Sequence, residues 1–195
     1  MSVSVCGPVG SSSLCLAART GLSEEFFQLA RQFIASKLTY PQKNGFGIRM
    51  SRLLVISCSQ RKASSKELLP AIDRYDGPAF RVLRKHLRDR PAEMPTVFIL
   101  SAKYGLVAAE TGIPQYDCRL SARTAERLRP AVLSVARQVL QSKRWEAVGL
   151  CLGKTYSTAL DGLLQYVPEG TRIDVLNGGL FRRLTRLREW LRSAR

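Results

Sequence analysis

The chain has 195 residues, 45% of them hydrophobic, which is enough for one substantial core but tight for two full domains. Its formal net charge of +16 makes nucleic acid the leading class of partner, with a basic solvated surface, anionic lipid or an acidic protein as alternatives. Five irregularly spaced cysteines argue against a disulfide framework and a zinc site, so we expect a reducing, cytoplasmic location. No apolar run approaches the roughly 20 residues of a membrane span, and no membrane partner is expected.

Residues 1–49 differ in composition from the rest, and we interpret them as an N-terminal extension of an α/β domain at 50–195. The extension has a Ser/Gly-rich start, a helical pattern at 22–38 and a turn-rich stretch at 41–47. We expect this extension to make few contacts with the core. Because Met50 precedes the first strand, the sequence leaves open where the mature protein starts, and a transit peptide stays an alternative.

From residue 52 onward, short apolar strands alternate with helices of ten or more residues. After a first strand and a long loop, the predicted elements are a helix at about 77–89, a strand at 96–101, a long loop, a helix at 121–142, a strand at 146–152, a helix at 154–166, a strand at 171–176 and a helix at 179–192. This alternation predicts a single α/β domain of three layers, with a mostly parallel sheet flanked by helices.

Two of the predicted helices have informative details. Ser121 is a suitable cap for the first turn of the long helix, and Pro130 within its pattern is expected to bend or split it. The last helix has an apolar stripe at helical spacing, which predicts that this side packs in the core. The stripe consists of Leu180, Leu184, Leu187 and Leu191.

Each predicted strand ends in small, polar or reactive residues. These ends are Ser57–Lys62, Ser101–Gly105, Gly153–Thr155 and Asn177–Gly179. Because ligands of open parallel sheets bind outside the carboxyl ends of the strands, we expect these loops to converge on one pocket.

The Gly153-Lys154-Thr155 turn is similar in part to a nucleotide-binding P-loop. The P-loop motif requires glycine at position 148, where this chain has Val148, so a nucleoside triphosphatase is not expected. A glycine turn that opens a helix beside Lys154 still suits a phosphate or a carboxylate. The alternative is an ordinary strand-to-helix turn.

Cys58 is a candidate catalytic residue because the cations that follow it favour the thiolate form. A nucleophilic thiol also needs a base, and the chain contains one histidine, His86. We predict that His86 lies on the surface of a basic helix, about one element away, so a Cys–His pair is not expected. The alternative is that Cys58 is a small residue lining the pocket.

The two long loops carry further candidates. Asp76 is interpreted as the start signal of the first helix, whereas Asp73 and Tyr75 have no evident local task. In the second loop, aromatic rings lie beside lysines and carboxylates, a combination that can stack a base and balance a phosphate. The second loop contributes Lys103, Tyr104, Tyr116 and Asp117.

Four segments together resemble the peroxide-stress YaaA-like family, and more closely its shorter bacterial and phage relatives classed as a domain of unknown function. They are S-C-S-x-x-K, A-I-D-R-Y-D-G-P-A-F, L-S-A-K-Y-G-L-V and a later Y-D, within about residues 52–180. The resemblance implies DNA binding linked to oxidative damage, and a distantly similar loop occurs in enzymes that act on modified tRNA guanine. The residues it implies are Ser57, Cys58, Ser59, Lys62, Asp73, Tyr75, Ser101, Lys103, Tyr104, Gly105, Tyr116 and Asp117, with Gly153 and Tyr156 in a later turn.

Our main hypothesis is a protein that binds nucleic acid or a nucleotide and acts on a nucleobase or its glycosidic bond. In it, phosphate is held by Lys62, Lys103 and Lys154. The base stacks on Tyr104 or Tyr116. A carboxylate from Asp73 or Asp117 activates water or stabilises an oxocarbenium-like centre.

Two alternatives remain open. The first is a non-catalytic DNA-binding stress-response protein, whose affinity is spread over Arg182, Arg183 and Arg186 of the last helix. The second is a small-nucleotide enzyme whose basic surface is incidental. Neither a metal nor another cofactor is expected, because the spacing of potential ligands supports none.

Overall fold

The computed structural model describes residues 51–193. The predicted extension at 1–49, its helix at 22–38 and the domain start at Met50 lie outside the described residues.

A five-stranded sheet forms the centre of the domain. Its strands are β1 (Ser51–Ser57), β3 (Thr96–Ser101), β4 (Gly105–Ala108), β6 (Trp145–Cys151) and β7 (Arg172–Val175), and a separate small antiparallel sheet joins β2 (Leu69–Pro70) to β5 (Gly112–Ile113). The strand order is β4-β3-β1-β6-β7, parallel throughout except for the antiparallel pair β3 and β4. The predicted mostly parallel sheet is confirmed.

Helices cover both faces of this sheet. They are α1 (Ala71–Arg74), α2 (Pro78–Asp89), α3 (Ala122–Gln141), α4 (Lys154–Ser157) and α5 (Leu180–Arg192), with 3-10 turns at Pro91–Glu93, Thr158–Leu160 and Leu163–Tyr166. Leu53 and Val55 of β1 pack toward α3, whereas Leu54 and Ile56 pack toward α2 and α5. This alternation buries both faces of a central strand and confirms the three layers. None of the described helices is long and apolar enough to cross a membrane.

Of the two predictions for α3, the cap at Ser121 is confirmed and the split at Pro130 is not. The Ser121 hydroxyl accepts a hydrogen bond from the Thr124 N–H at 3.1 Å, as expected of a cap. Pro130, in contrast, does not split the helix, which runs without interruption over Ala122–Gln141. Pro130 and Glu126 are both exposed, so water can satisfy the Glu126 carbonyl that lacks a helical partner.

Three predictions about the elements are wrong. The segment 154–166 is not one helix, because α4 ends after one turn and Gly162 adopts a left-handed conformation (φ +93°) between two 3-10 turns. The loop after β3 contains the additional strand β4, reached through Gly105 at φ +63°. Leu180 is 46% exposed and does not join the core stripe, which consists of Leu184, Leu187 and Leu191.

Gly149 in β6 allows Trp190 of α5 to pack directly on the sheet. A Cβ atom at position 149 would lie 2.8 Å from the Trp190 ring, closer than carbon atoms approach. We expect Gly149→Ala to lower the free energy of unfolding by about 1–3 kcal/mol, the usual cost of overpacking. Chemical denaturation checks this against Gly112→Ala, whose added Cβ has ordinary space, 3.9 Å from Leu68. Equal stability of the two variants would contradict this packing argument.

The order of the strands also locates the place where a ligand can bind. The chain passes from β1 to β3 on one side and later to β6 on the other side of β1. Such a reversal opens a crevice between β1 and β6, outside the carboxyl ends of these strands. Here Cys58 follows β1 and Gly153 follows β6, so the predicted loops do converge at this edge.

Candidate functional site

Cys58 and Tyr156 meet across this crevice. The Cys58 sulfur lies 3.0 Å from the Tyr156 hydroxyl, a hydrogen-bond distance in which either group can donate. The Cys58 N–H donates to the Leu100 carbonyl at 3.0 Å, which continues the β1–β3 ladder by one residue. Burial, reinforced by the nearby sulfur, raises the pKa of Tyr156, so its phenol stays protonated at neutral pH and can donate to the sulfur.

A second group of hydroxyls, the tyrosine cluster of Tyr75, Tyr116 and Ser101, lies at the end of β3. The Tyr116 hydroxyl is 2.5 Å from that of Tyr75 and 2.8 Å from that of Ser101. The Ser101 oxygen accepts the N–H groups of Lys103 (3.2 Å) and Tyr104 (3.1 Å). Since these bonds occupy both of its lone pairs, Ser101 donates its own proton to Tyr116.

This arrangement determines which phenol can donate to a ligand. Burial raises the pKa of both Tyr75 and Tyr116, so both are protonated, yet only one proton occupies the bond between them. Tyr75 is fully buried, whereas Tyr116 is only partly buried. A buried donor must find a partner, so Tyr75 donates to Tyr116. The proton of Tyr116 is then free for a ligand.

Two lysines flank Tyr116. The Lys62 Nζ atom lies 4.4 Å from the centre of the Tyr116 ring, and the Lys103 Nζ atom lies 5.9 Å from it. Lys62 also donates to the Gln60 carbonyl, and its backbone forms an antiparallel bridge with Tyr75. Within residues 51–193 neither lysine forms an ion pair with a carboxylate. The site therefore favours an anion.

The structure separates the two rings proposed for stacking. Tyr104 is 3% exposed and packs edge-on against Tyr116, with ring centres 5.1 Å apart and an interplanar angle of 80°. Its hydroxyl has no hydrogen-bond partner among the described residues. A base cannot reach a ring in this position, so Tyr116 is the better candidate of the two.

The candidate carboxylates lie at the surface. Asp73 is exposed on α1, and Asp117 is exposed directly after Tyr116. Neither forms a hydrogen bond or an ion pair with a described residue. Asp117 is the next residue after Tyr116 in the chain, and we take it as the first candidate of the two. In the described part of the chain, no three His, Cys, Asp or Glu side chains are grouped to hold a metal ion.

The smaller candidates shape the backbone around these side chains. Ser57 is the last residue of β1, and the Ser59 hydroxyl donates to the Arg61 carbonyl at 2.6 Å. Gly105 makes the left-handed turn between β3 and β4, and Gly153 precedes the single turn of α4. The positions of these residues set the direction of the loops. The Ser59 hydroxyl uses its proton in the bond to the Arg61 carbonyl and so has no proton left to donate to a ligand.

Asp76 has a different task from the one predicted. The residue at the N-cap of α2 is Gly77, which supplies no side-chain hydrogen bond. The Asp76 carboxylate instead pairs with Arg61 (2.9 Å), Arg81 (3.0 Å) and Arg84 (2.9 Å). These guanidinium groups, Arg81 foremost, lower the pKa of Asp76. Asp76 thus ties the loop after β1 to α2.

The lowered pKa of Asp76 predicts a pH dependence of stability. A carboxylate with a lower pKa in the folded state stabilises the fold above its unfolded pKa of about 3.9, and this contribution is lost as the pH falls through the folded pKa. We expect Asp76→Asn to be less stable than the wild type near pH 6 and the difference to shrink below about pH 4. Urea denaturation across this range measures it. A constant difference would show that the Asp76 charge contributes nothing.

Arg74, to which the sequence assigned no role, fixes the same loop from inside. Its side chain is fully buried and donates to the carbonyls of Ala63 (2.9 Å), Ser65 (2.8 Å), Glu67 and Ile113 (3.3 Å). The loop between β1 and β2 carries Lys62. Arg74 therefore positions the loop that brings Lys62 to Tyr116.

His86 is not a surface residue as predicted but is buried on the inner side of α2. Burial lowers its pKa, so it is neutral at pH 7. It lines a groove of about 620 Å³ between α2 and α5, none of whose lining residues belongs to the tyrosine cluster. The charged residues of this groove are Arg81, Lys85, Asp89, Arg90, Arg188 and Arg192.

Two of the three arginines proposed for nucleic-acid binding hold loops. Arg183 donates to the Leu152 carbonyl at 3.0 Å. Arg186 donates to the Asn177 carbonyl at 3.1 Å and also to its side-chain oxygen. Arg182 is exposed. Arg183 and Arg186 thus stabilise the loops that follow β6 and β7.

Comparison with known proteins defines the class of this chain without defining an activity. The chain belongs to the family described as Family of unknown function (DUF6884), which matches residues 53–188. No curated protein matches it. It is similar to a solved structure described as the crystal structure of AF0587, a protein of unknown function, with 13% identity and a TM-score of 0.45. That match covers 74% of this chain and 45% of the other, so this chain spans less than half of that protein.

Proposed function

We propose that this protein binds nucleic acid or a nucleotide at the edge of the sheet and acts on a nucleobase or its glycosidic bond. One observation carries the proposal: Lys62 and Lys103, without carboxylate partners in the described chain, lie beside the ring of Tyr116, whose hydroxyl meets those of Tyr75 and Ser101. The net charge of +16 favours a phosphate-bearing ligand at such a site.

The two lysines are suited to hold a phosphate. An ammonium group is a compact point charge with three donors, and phosphate is among its usual ligands. In the proposed complex the phosphate binds Lys62 and Lys103, whose Nζ atoms lie 4.4 and 5.9 Å from the centre of the Tyr116 ring, and the base lies at the Tyr116 hydroxyl. Tyr116 then donates to an acceptor atom of the base.

Asp117 completes the proposed chemistry of N-glycosidic cleavage. Its carboxylate takes a proton from water, the water oxygen bonds to C1′, and the bond between C1′ and the base breaks. The bonding electrons leave with the base, to which Tyr116 donates a hydrogen bond and which takes its proton from solvent. A nearby carboxylate also stabilises the positive charge that develops on the sugar.

The experiment that tests this proposal uses single-stranded DNA, duplex DNA and tRNA. Each is incubated with the protein, and released or altered base is detected by mass spectrometry. A base product supports the proposal, whereas binding without a product would remove the catalytic part and favour the second candidate.

The second candidate is a non-catalytic DNA-binding protein, linked to oxidative stress through the resemblance to the YaaA-like family. The groove between α2 and α5 favours it, because five of its lining side chains are cationic and one is acidic. Arg188 and Arg192 form no ion pair with a described residue, so they are available for phosphates. It predicts that replacing both by glutamine weakens duplex binding and its salt dependence, with no product formed by either protein.

A further inference from the structure

A second groove lies beside the candidate site, at the carboxyl ends of β6 and β7. It encloses about 510 Å³, and its walls are mainly apolar, with Leu152, Leu163 and Ile173 among them. Two further wall residues, Leu164 and Val175, are 68% and 55% exposed. Large exposed apolar side chains grouped around one groove are typical of a binding surface.

The polar part of this groove is cationic and partly fixed in place. Lys154, Arg183 and Asn177 line it, together with Asp161, the single acid among its lining residues. The Arg183 guanidinium donates one N–H to the Leu152 carbonyl at 3.0 Å, and its remaining N–H groups stay available. A cation held in this way loses little freedom when it binds an anion.

The groove adjoins the contact of Cys58 with Tyr156 across the single turn of α4, and Cys58 is in turn a neighbour of Tyr116. Tyr156 of this turn contacts Cys58 at 3.0 Å, whereas Lys154 and Ser157 of the same turn line the groove. A ligand that binds Lys62 and Lys103 and extends to Lys154 and Arg183 therefore passes α4.

We propose that this groove is a second nucleotide subsite, so that the ligand is an oligonucleotide of at least two nucleotides. The inference rests on the proposed function, and it places one nucleotide at Lys62 and Lys103 and the next at the groove. The apolar walls take the second base, and Lys154 and Arg183 take a phosphate. The volume lies within the range of about 300–1,000 Å³ typical of small-molecule sites.

Calorimetric titration with thymidine 5′-monophosphate and with the 5′-phosphorylated dinucleotide pTpT tests this inference. We expect the wild type to bind the dinucleotide at least about tenfold more tightly, since a stacked base and a charge contact are added. Leu164→Gln and Val175→Asp are expected to abolish most of this difference and to leave unchanged the affinity for the mononucleotide, which the proposed function places at Lys62 and Lys103. Both residues are exposed, so both variants should fold.

The control is Arg127→Gln, which removes one charge from an exposed residue of α3 that does not line the groove. Arg127→Gln should keep the preference for the dinucleotide. An equal affinity of the wild type for both ligands, or a preference that survives in both groove variants, would overturn the second subsite and leave the proposed function standing. Absence of binding to either ligand would overturn both.

Discussion

Replacement of Arg74 by methionine is expected to lower the free energy of unfolding by about 4 kcal/mol. This is about 1 kcal/mol for each of four lost acceptor contacts, the low end of the usual cost, because three of the four are only partly buried. Methionine fills much of the volume of the arginine stem but leaves the carbonyls of Ala63, Ser65, Glu67 and Ile113 without their donor. For a domain of this size the melting temperature should fall by about 10 °C. Calorimetry or urea denaturation measures both quantities.

Arg88→Met provides the matched control, because Arg88 is exposed on α2 and forms no ion pair with a described residue. Its effect should stay within about 0.5 kcal/mol. Arg74→Lys should fall between the two, since an ammonium group supplies fewer donors than a guanidinium group. A loss of less than about 1 kcal/mol in Arg74→Met would show that water replaces the lost donors.

Asp117→Asn is expected to slow base release by about 100-fold or more, the usual contribution of a positioned general base. The amide has the shape of the carboxylate but neither accepts the proton of water nor stabilises a cationic sugar. Affinity for nucleic acid should change by less than about twofold, since Asp117 is exposed and bonds to no described residue. Quantitative mass spectrometry of the free base gives the rate, and fluorescence titration gives the affinity.

Asp73→Asn distinguishes the two candidate carboxylates. Because Asp73 lies on α1 rather than beside Tyr116, its replacement should leave the rate within a few-fold of the wild type. A rate that survives both substitutions would show that no carboxylate proposed here takes part in the reaction. A loss confined to Asp73→Asn would transfer the role to that residue.

The regular part of the fold follows from hydrophobic periodicity. The predicted helix at 77–89 and strand at 96–101 are confirmed as α2 (Pro78–Asp89) and β3 (Thr96–Ser101). Both patterns persist over enough residues to be distinctive. β4 has four residues, all buried on both faces of the sheet, and so shows no alternation. The helix predicted at 154–166 fails because the apolar spacing of the 3-10 turns imitates that of an α-helix.

The sequence predicts which residues form the site better than it predicts the hydrogen bonds between them. Because the carboxyl ends of parallel strands meet at one edge, the sequence correctly predicts that Cys58, Lys62 and Lys103 lie at the same edge as Ser101. Hydrogen bonds between side chains of distant loops leave no periodic signal. The link from Tyr75 to Tyr116 and the contact of Cys58 with Tyr156 are therefore visible only in the structure.

Buried polar residues explain the remaining differences. Arg74, His86 and Asp76 are of types that usually lie at the surface, so sequence reasoning placed His86 there and gave Asp76 a local task. The structure buries Arg74 and His86 and surrounds Asp76 with arginines. Partners that satisfy such groups come from other elements, and one sequence does not identify them.

The most direct test of the central claim is the binding of single-stranded DNA, duplex DNA and tRNA at two salt concentrations by the wild type and by the double variant Lys62→Gln, Lys103→Gln. The claim predicts affinity that falls steeply with salt. In the double variant it predicts weaker binding and a logarithmic salt slope shallower by about two, one for each lost phosphate contact. The double variant Arg88→Gln, Arg127→Gln controls for net charge. Salt-insensitive affinity, or identical binding by the wild type and the lysine variant, would contradict the claim.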